Sequence, residues 1–238
     1  ALDGNHRSEA NKNRDVYRHP RETLEFFGLA EGQTIVELSP GGGWYSEVLA
    51  PLTKNGIFYA AHFSPNAPSG YAKKSLGRYL QKIGSNMDIY GGVVLTELSS
   101  KENIQIAPPN SVDLVLAFRN FHSWLRGDNL TNVLRASHSV LKSDGTLGIV
   151  QHRSRQSLSL DKMKSTGYIT EEFLISKVEE AGFKLSARSE INANARDTAN
   201  HPKGVWNLPP SFAGGEKEKD RYADIGESDR MTLRFKKQ

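Results

Sequence analysis

The chain has 238 residues, 37% of them apolar, which is enough for one α/β core, and its lack of cysteine excludes a disulfide framework, a thiolate metal site and a cysteine nucleophile. Its 31 basic and 27 acidic residues give a net charge of +4 with no run of five like charges, so a polyanion is permitted but not required and no specific nucleic-acid partner is expected. No apolar run approaches the ~20 residues of a membrane-spanning helix.

The small first residue, Ala1, together with the absence of cysteine, leads us to expect an exported, periplasmic protein that has lost a signal segment, with the cytoplasm as the alternative. Residues 1–16 are polar and read as an arm, helical from Ser8. Tyr17-Arg18-His19 precede Pro20, which suits the first turn of a helix over Arg21–Phe27 closed by Gly28. Residues 1–31 are therefore expected to form an arm or lid, with Tyr17, Arg18 and His19 as substrate contacts.

Thr34–Leu38 reads as a strand, Ser39-Pro40-Gly41-Gly42-Gly43 as a tight turn, and Trp44–Thr53 as a helix with Val48, Leu49 and Leu52 inward. Three glycines without Cβ atoms allow a ligand to lie against bare backbone at a helix start, with Glu37 as the fixed charge beside it. Gly56–Phe63 is a strand buried on both faces, and Tyr71–Ile83 a basic helix with a solvated face. Gly92–Leu95 is a third strand leading to Thr96-Glu97, and Val112–Phe118 a fourth, running into the loop Arg119-Asn120-Phe121-His122-Ser123-Trp124.

A helix carrying Leu130, Val133, Leu134 and Leu141 follows, then a fifth strand, Thr146–Val150, ending in Gln151-His152-Arg153. Ser154–Gly167 reads as polar loop, Thr170 as the cap of a helix ending near Gly182, and Phe183–Ile191 as a strand. Residues 192–228 form a long loop with Asp197, His201, Trp206 and Pro209-Pro210, whose segment Gly214–Arg221 is solvated charge, before a last strand at Met231–Phe235. All 238 residues are expected in one domain.

Strands alternating with helices imply a doubly wound, mainly parallel sheet that binds its ligand at the strands' carboxyl ends. That rule gathers Glu37 to Tyr45, His62, Thr96-Glu97, Arg119 to Trp124 and His152-Arg153 on one rim. Against the G-x-G-x-x-G pattern, Ser46 replaces the last glycine and His62 the ribose-binding acid. There is no Walker lysine, no G-x-S-x-G elbow and no metal-ligand spacing.

The sequence resembles the class I S-adenosylmethionine-dependent methyltransferases over roughly residues 30 to 190. Glu37, Ser39, Gly41 and Gly43 occupy the first motif, Ser39 standing for its first glycine; Val112–Val115, Leu141–Gly145 and Glu180–Phe183 continue the match. More narrowly, Tyr17–Pro20, Pro40–Tyr45, Phe118–Trp124, His152-Arg153 and Val205–Pro210 resemble a bacterial group of predicted, often exported methyltransferases.

The resemblance implies a Rossmann-like, seven-stranded mixed sheet with an antiparallel last strand and helices on both faces. It implies S-adenosylmethionine held by Glu37, Ser39, Pro40, Gly41, Gly42, Gly43, Tyr45 and Arg119, with His62 near the ribose and Glu97-Leu98 near the adenine. His122 is the expected base and His152 the second candidate, while Arg119 and Asn120 orient the acceptor. Trp124, Arg153, Asp197 and Trp206 are expected substrate contacts, and the acceptor a small molecule. A non-catalytic nucleoside-binding protein and an NAD-dependent oxidoreductase stand as alternatives; oligomeric state cannot be read from the chain.

Overall fold

The computed structural model describes residues 1–98 and 104–238. Its strands are β1 Thr34–Leu38, β2 Ile57–His62, β3 Val93–Glu97, β4 Val112–Phe118, β5 Leu141–Ser154, β6 Ile169–Thr170, β7 Phe183–Ser189 and β8 Arg230–Lys237. They lie in the order β3-β2-β1-β4-β5-β8-β7, with the two-residue β6 beside the end of β5. β8 is antiparallel to both of its neighbours, whereas β3, β2, β1, β4 and β5 run parallel. This is the expected seven-stranded Rossmann-like sheet with helices on both faces.

The helices are α1 Glu9–Lys12, α2 Asp15–Arg18, α3 Pro20–Phe27, α4 Ser46–Leu52, α5 Gly70–Gly84, α6 Met87–Tyr90, α7 Phe121–Arg126, α8 Leu130–Val140, α9 Leu160–Thr166, α10 Glu171–Glu179 and α11 Lys219–Ile225. The central strands are mostly apolar, apart from Glu37 in β1 and Asp113 in β4, because each feeds two cores. Ile35, Leu114, Leu116 and Val150 pack with Phe27 of α3 and Val48 and Leu49 of α4. Val36, Leu38, Val115, Ala117, Leu147 and Ile149 pack on the other face with Val133, Leu134, Leu174 and Val178. By the same two-residue period Glu37 faces the α3–α4 side, where a carboxylate is buried at 2% exposure.

Five expectations change. β5 runs on through Gln151–Ser154, because Arg153 and Ser154 gain β6 as a partner and His152 pairs with Arg230 of β8. The segment after β4 turns helical at Phe121, since a helix buries Phe121 and Trp124 together. The stretch 154–167, expected as loop, holds α9, capped by the Ser159 hydroxyl and closed by Gly167 at φ 79°; likewise α11 buries Tyr222 beside the charged run before it. Leu52, expected inside, is 42% exposed in the last turn of α4.

The antiparallel sense of β8 brings its entry to the ligand end of the sheet. Its first residue, Arg230, lies opposite His152, so residues entering β8 join the rim where the parallel strands exit.

Candidate functional site

A cavity of about 870 Å³ opens on that rim. One wall is the turn after β1. Ser39 takes a left-handed backbone (φ 50°), as the glycine of the motif would, and two groups hold it there: its hydroxyl accepts from Trp124 Nε1 at 3.3 Å and its carbonyl from Asn120 Nδ2 at 3.2 Å. Gly41 is also left-handed (φ 61°), and a Cβ there would meet nothing within 4 Å, so its backbone faces open space. At Gly43 (φ 80°) a Cβ would sit 2.8 Å from Lys82 Cδ and 3.1 Å from Tyr79, which explains why α5 needs glycine beneath it.

Glu37 lines this wall. Ser46 donates to its Oε2 at 2.6 Å, and the Tyr79 hydroxyl, 3.1 Å from Ser46 Oγ, donates in turn. Burial pushes the Glu37 carboxyl up to about 7, against the opposing effects of Ser46 and Arg119. It is therefore a poised acid that a nearby cation would ionise.

The opposite walls come from Asn11, Arg14 and Arg18 of the arm, from Arg119, Asn120, His122, Ser123 and Arg126 after β4, from His152, from Val205–Trp206 and Pro209–Ser211, and from Glu227, Ser228 and Arg230. The arm is fixed by Glu47, which is 1% exposed and pairs with Asn11, Arg7 and Lys82. Arg18 lies over the Trp44 ring with its guanidinium carbon 4.4 Å from the centroid, and Tyr45 stacks on Phe118 at 3.4 Å. Arg119 is left-handed (φ 63°), a backbone that a non-glycine residue adopts at a cost of about 1–3 kcal/mol.

Around Glu227 gather three arginines. Arg14 Nε reaches one carboxylate oxygen at 2.6 Å and Arg18 Nε the other at 3.2 Å, which Arg230 Nη2 also contacts. Burial works to raise the Glu227 carboxyl, but Arg230, Arg18 and Arg14 hold it well below the usual carboxylate range. Arg18 Nη1 and Arg230 Nε are nonetheless buried without a hydrogen-bond partner among the described residues. Burial, then Arg119, pushes Arg18 well down; burial, then Arg230, pushes Arg119 down to about 10.

His122 lines the cavity as expected, but not as a free base. Gln151 Nε2 donates to Gly167 O at 3.0 Å and to His122 Nδ1 at 3.2 Å, so the neutral ring carries its proton on Nε2 and acts as a donor. Burial, then Arg126, lowers it to about 4. His152 contacts Ser228 Oγ through Nδ1 at 2.5 Å, and burial, His122 and Arg230 push it far below the ordinary histidine range.

Several expected contacts lie elsewhere. The Phe63 N–H donates to His62 Nδ1 at 2.7 Å, so Nε2–H donates to Gly41 O at 3.0 Å. His62 is thereby fully buried and satisfied, a latch on the glycine turn with no hydrogen-bonding group left for a ribose. Glu97 is exposed at the sheet edge and off the cavity, and Leu98 packs into the core. Gly43 and Trp124 support the turn from behind; Tyr17 packs on Gly226; His19, half-buried, is a left-handed hinge (φ 38°) between α2 and α3. None of these lines the cavity.

Arg153 binds Asp229 and Glu190 bidentately at 2.6–3.0 Å, facing away from the cavity. Asp197 accepts from Tyr168, His201 and the Asp229 N–H, pinning the loop to β8. Of the substrate contacts expected, Arg18 and Trp206 line the cavity. The sequence reading missed Arg14, Arg126, Glu227 and Arg230. Arg78 and Tyr71, placed on a solvated helix face, also line it.

No family model matches this chain, and no curated protein matches it either. Among solved structures it is similar to an S-adenosylmethionine-dependent methyltransferase from Aquifex aeolicus, with 17% identity over 95% of this chain and 93% of that one at a TM-score of 0.63. It is also similar to the 4+2 cyclase SpnF, with 17% identity over 99% of this chain and 85% of that one at a TM-score of 0.67. What the chain shares with both is the methyltransferase fold.

Proposed function

We propose that the protein is an S-adenosylmethionine-dependent methyltransferase acting on a small-molecule acceptor. The observation that carries this reading is the buried Glu37 beside a bare, left-handed glycine turn, opening on the cavity at the carboxyl ends of β1 and β4. When bound, the sulfonium cofactor supplies an electrophilic methyl carbon. Glu37 and Arg119 suit its ammonium and carboxylate groups, a pairing that ionises Glu37.

The chain's own residues then orient and exclude water. Trp206 and Pro209–Ser211 line one side of the cavity, and His122 donates a hydrogen bond from Nε2–H to hold the acceptor. Neither imidazole is a proton acceptor of ordinary strength, so positioning carries the reaction. In this reading the rate follows the acceptor's own ionisation, with no histidine inflection between about pH 5 and 8.

Titration calorimetry with S-adenosylhomocysteine, S-adenosylmethionine and NAD tests the assignment. Heat from neither sulfur nucleoside removes it, and heat from NAD alone installs an oxidoreductase instead. The satisfied His62 favours a second reading, a nucleoside-binding protein without transferase activity. That reading gains if S-adenosylmethionine binds and no acceptor turns over.

A further inference from the structure

Among the described residues, six arginines line the cavity, Arg14, Arg18, Arg78, Arg119, Arg126 and Arg230, against the two carboxylates of Glu37 and Glu227. Three of them converge on Glu227 from segments far apart in sequence: Arg14 and Arg18 on α2 and its approach, Arg230 at the start of β8. Three guanidinium groups around one carboxylate leave a local charge of +2, in a corner where Arg18 and Arg230 are 3% and 2% exposed. Like charges at such separations repel strongly when water is scarce, and a polar group left unpaired in the interior is costly.

Those unpaired groups are identifiable. Among the described residues Arg18 Nη1 and Arg230 Nε lack a hydrogen-bond partner, and both side chains line the cavity. A cofactor's methionine carboxylate needs one guanidinium, and Arg119, whose charge acts on Glu37, is placed to supply it. That leaves the Glu227 corner without an assigned partner.

From this juxtaposition we propose that the Arg14–Arg18–Arg230 corner is the recognition site for an anionic group of the acceptor, a carboxylate or a phosphate. The acceptor is then an organic acid or a phosphate ester. A planar guanidinium binds either oxyanion through paired N–H donors, and Glu227 holds the three forks in place while remaining too weak to neutralise them. Ser228 and His152, on the same wall, offer neutral polar contacts to the rest of the molecule.

The inference rests on the methyltransferase reading only for the word acceptor; the anion site stands on its own geometry. Calorimetry with inorganic phosphate and with succinate, each with and without saturating S-adenosylhomocysteine, tests it and separates the two anion sources. We expect saturable binding of at least one probe, weakened roughly tenfold or more by Arg14→Gln, a quarter-exposed side chain whose loss the fold tolerates best, with S-adenosylhomocysteine affinity unchanged. Arg230→Lys serves as the second variant, because it keeps the charge and removes the fork.

Absence of saturable binding of both probes to the unaltered protein overturns the proposal, as does an affinity in both variants equal to that of the unaltered protein. Loss of anion binding while S-adenosylhomocysteine still binds leaves the methyltransferase reading intact. Anion binding without any sulfur-nucleoside binding supports the corner and removes that reading.

Discussion

Two arginine–carboxylate clusters lie side by side at the start of β8, fed by residues two apart in sequence, Glu227 and Asp229. Around Asp229 the charges balance: Arg153, Arg155 and Arg188 meet Asp229, Glu190 and Glu171. Arg153 there makes paired contacts with two carboxylates, and although burial opposes it, those carboxylates raise its guanidinium further above its ordinary value. Around Glu227 three arginines share one carboxylate and buried N–H groups go unused. A closed cluster holds the fold; an open one facing a cavity is suited to hold something else.

Substitutions at the two carboxylates set the clusters apart. Asp229→Asn removes one of the carboxylates that Arg153 and Arg155 share, the buried one, and should cost about 5 kcal/mol of stability. Thermal unfolding checks this, and added phosphate should not restore the loss. Glu227→Gln should cost about 4 kcal/mol by leaving three guanidiniums unpaired, yet here phosphate should recover a large part of the melting temperature. Equal phosphate rescue in both variants would erase the distinction.

Glu37 supplies the third test. Its folded-state carboxyl, at about 7, is raised above the ordinary 4.5, so the native state binds the extra proton. Its effect on stability is absent below pH 4.5, grows unfavourable as pH rises toward 7, and is constant above that. A shift of this size corresponds to roughly 3 kcal/mol. Glu37→Gln should therefore stabilise the free protein at pH 8, flatten the slope of melting temperature against pH, and weaken S-adenosylmethionine binding. The smallest effect is expected of Trp124→Phe, which removes the N–H held by Ser39 and should cost about 1 kcal/mol, measured by denaturant titration.

The sheet was legible in the sequence because β1, β2 and β4 are short, mostly apolar runs, interrupted only by Glu37 in β1 and Asp113 in β4, and their bounds shift by two residues at most. The glycine turn was legible as well, and Ser39 proves compatible with it because Trp124 and Asn120 hold its left-handed backbone. Helices of six or seven residues, α7, α9 and α11, were not: each carries too few apolar positions to show a period.

The histidines were legible as rim residues but not in their roles. His62 is spent on Gly41, and the Gln151 amide fixes the tautomer of His122, a partner from another strand that spacing does not reveal. The Glu227–Arg230 turn carried a usable signal. Once the last strand is taken as antiparallel, its entry belongs on the ligand rim, and four polar residues there are candidates.

The same turn also bears on how the protein is made. The bonds joining Arg14 and Arg18 to Glu227 span 213 and 209 residues, among the longest loops the chain closes. During synthesis the first five strands can pair while β8 is still inside the ribosome, but the cavity lacks its cationic corner until that strand inserts between β5 and β7. The corner is thus completed only in the finished molecule, and a product that stops short of residue 227 lacks both Glu227 and Arg230.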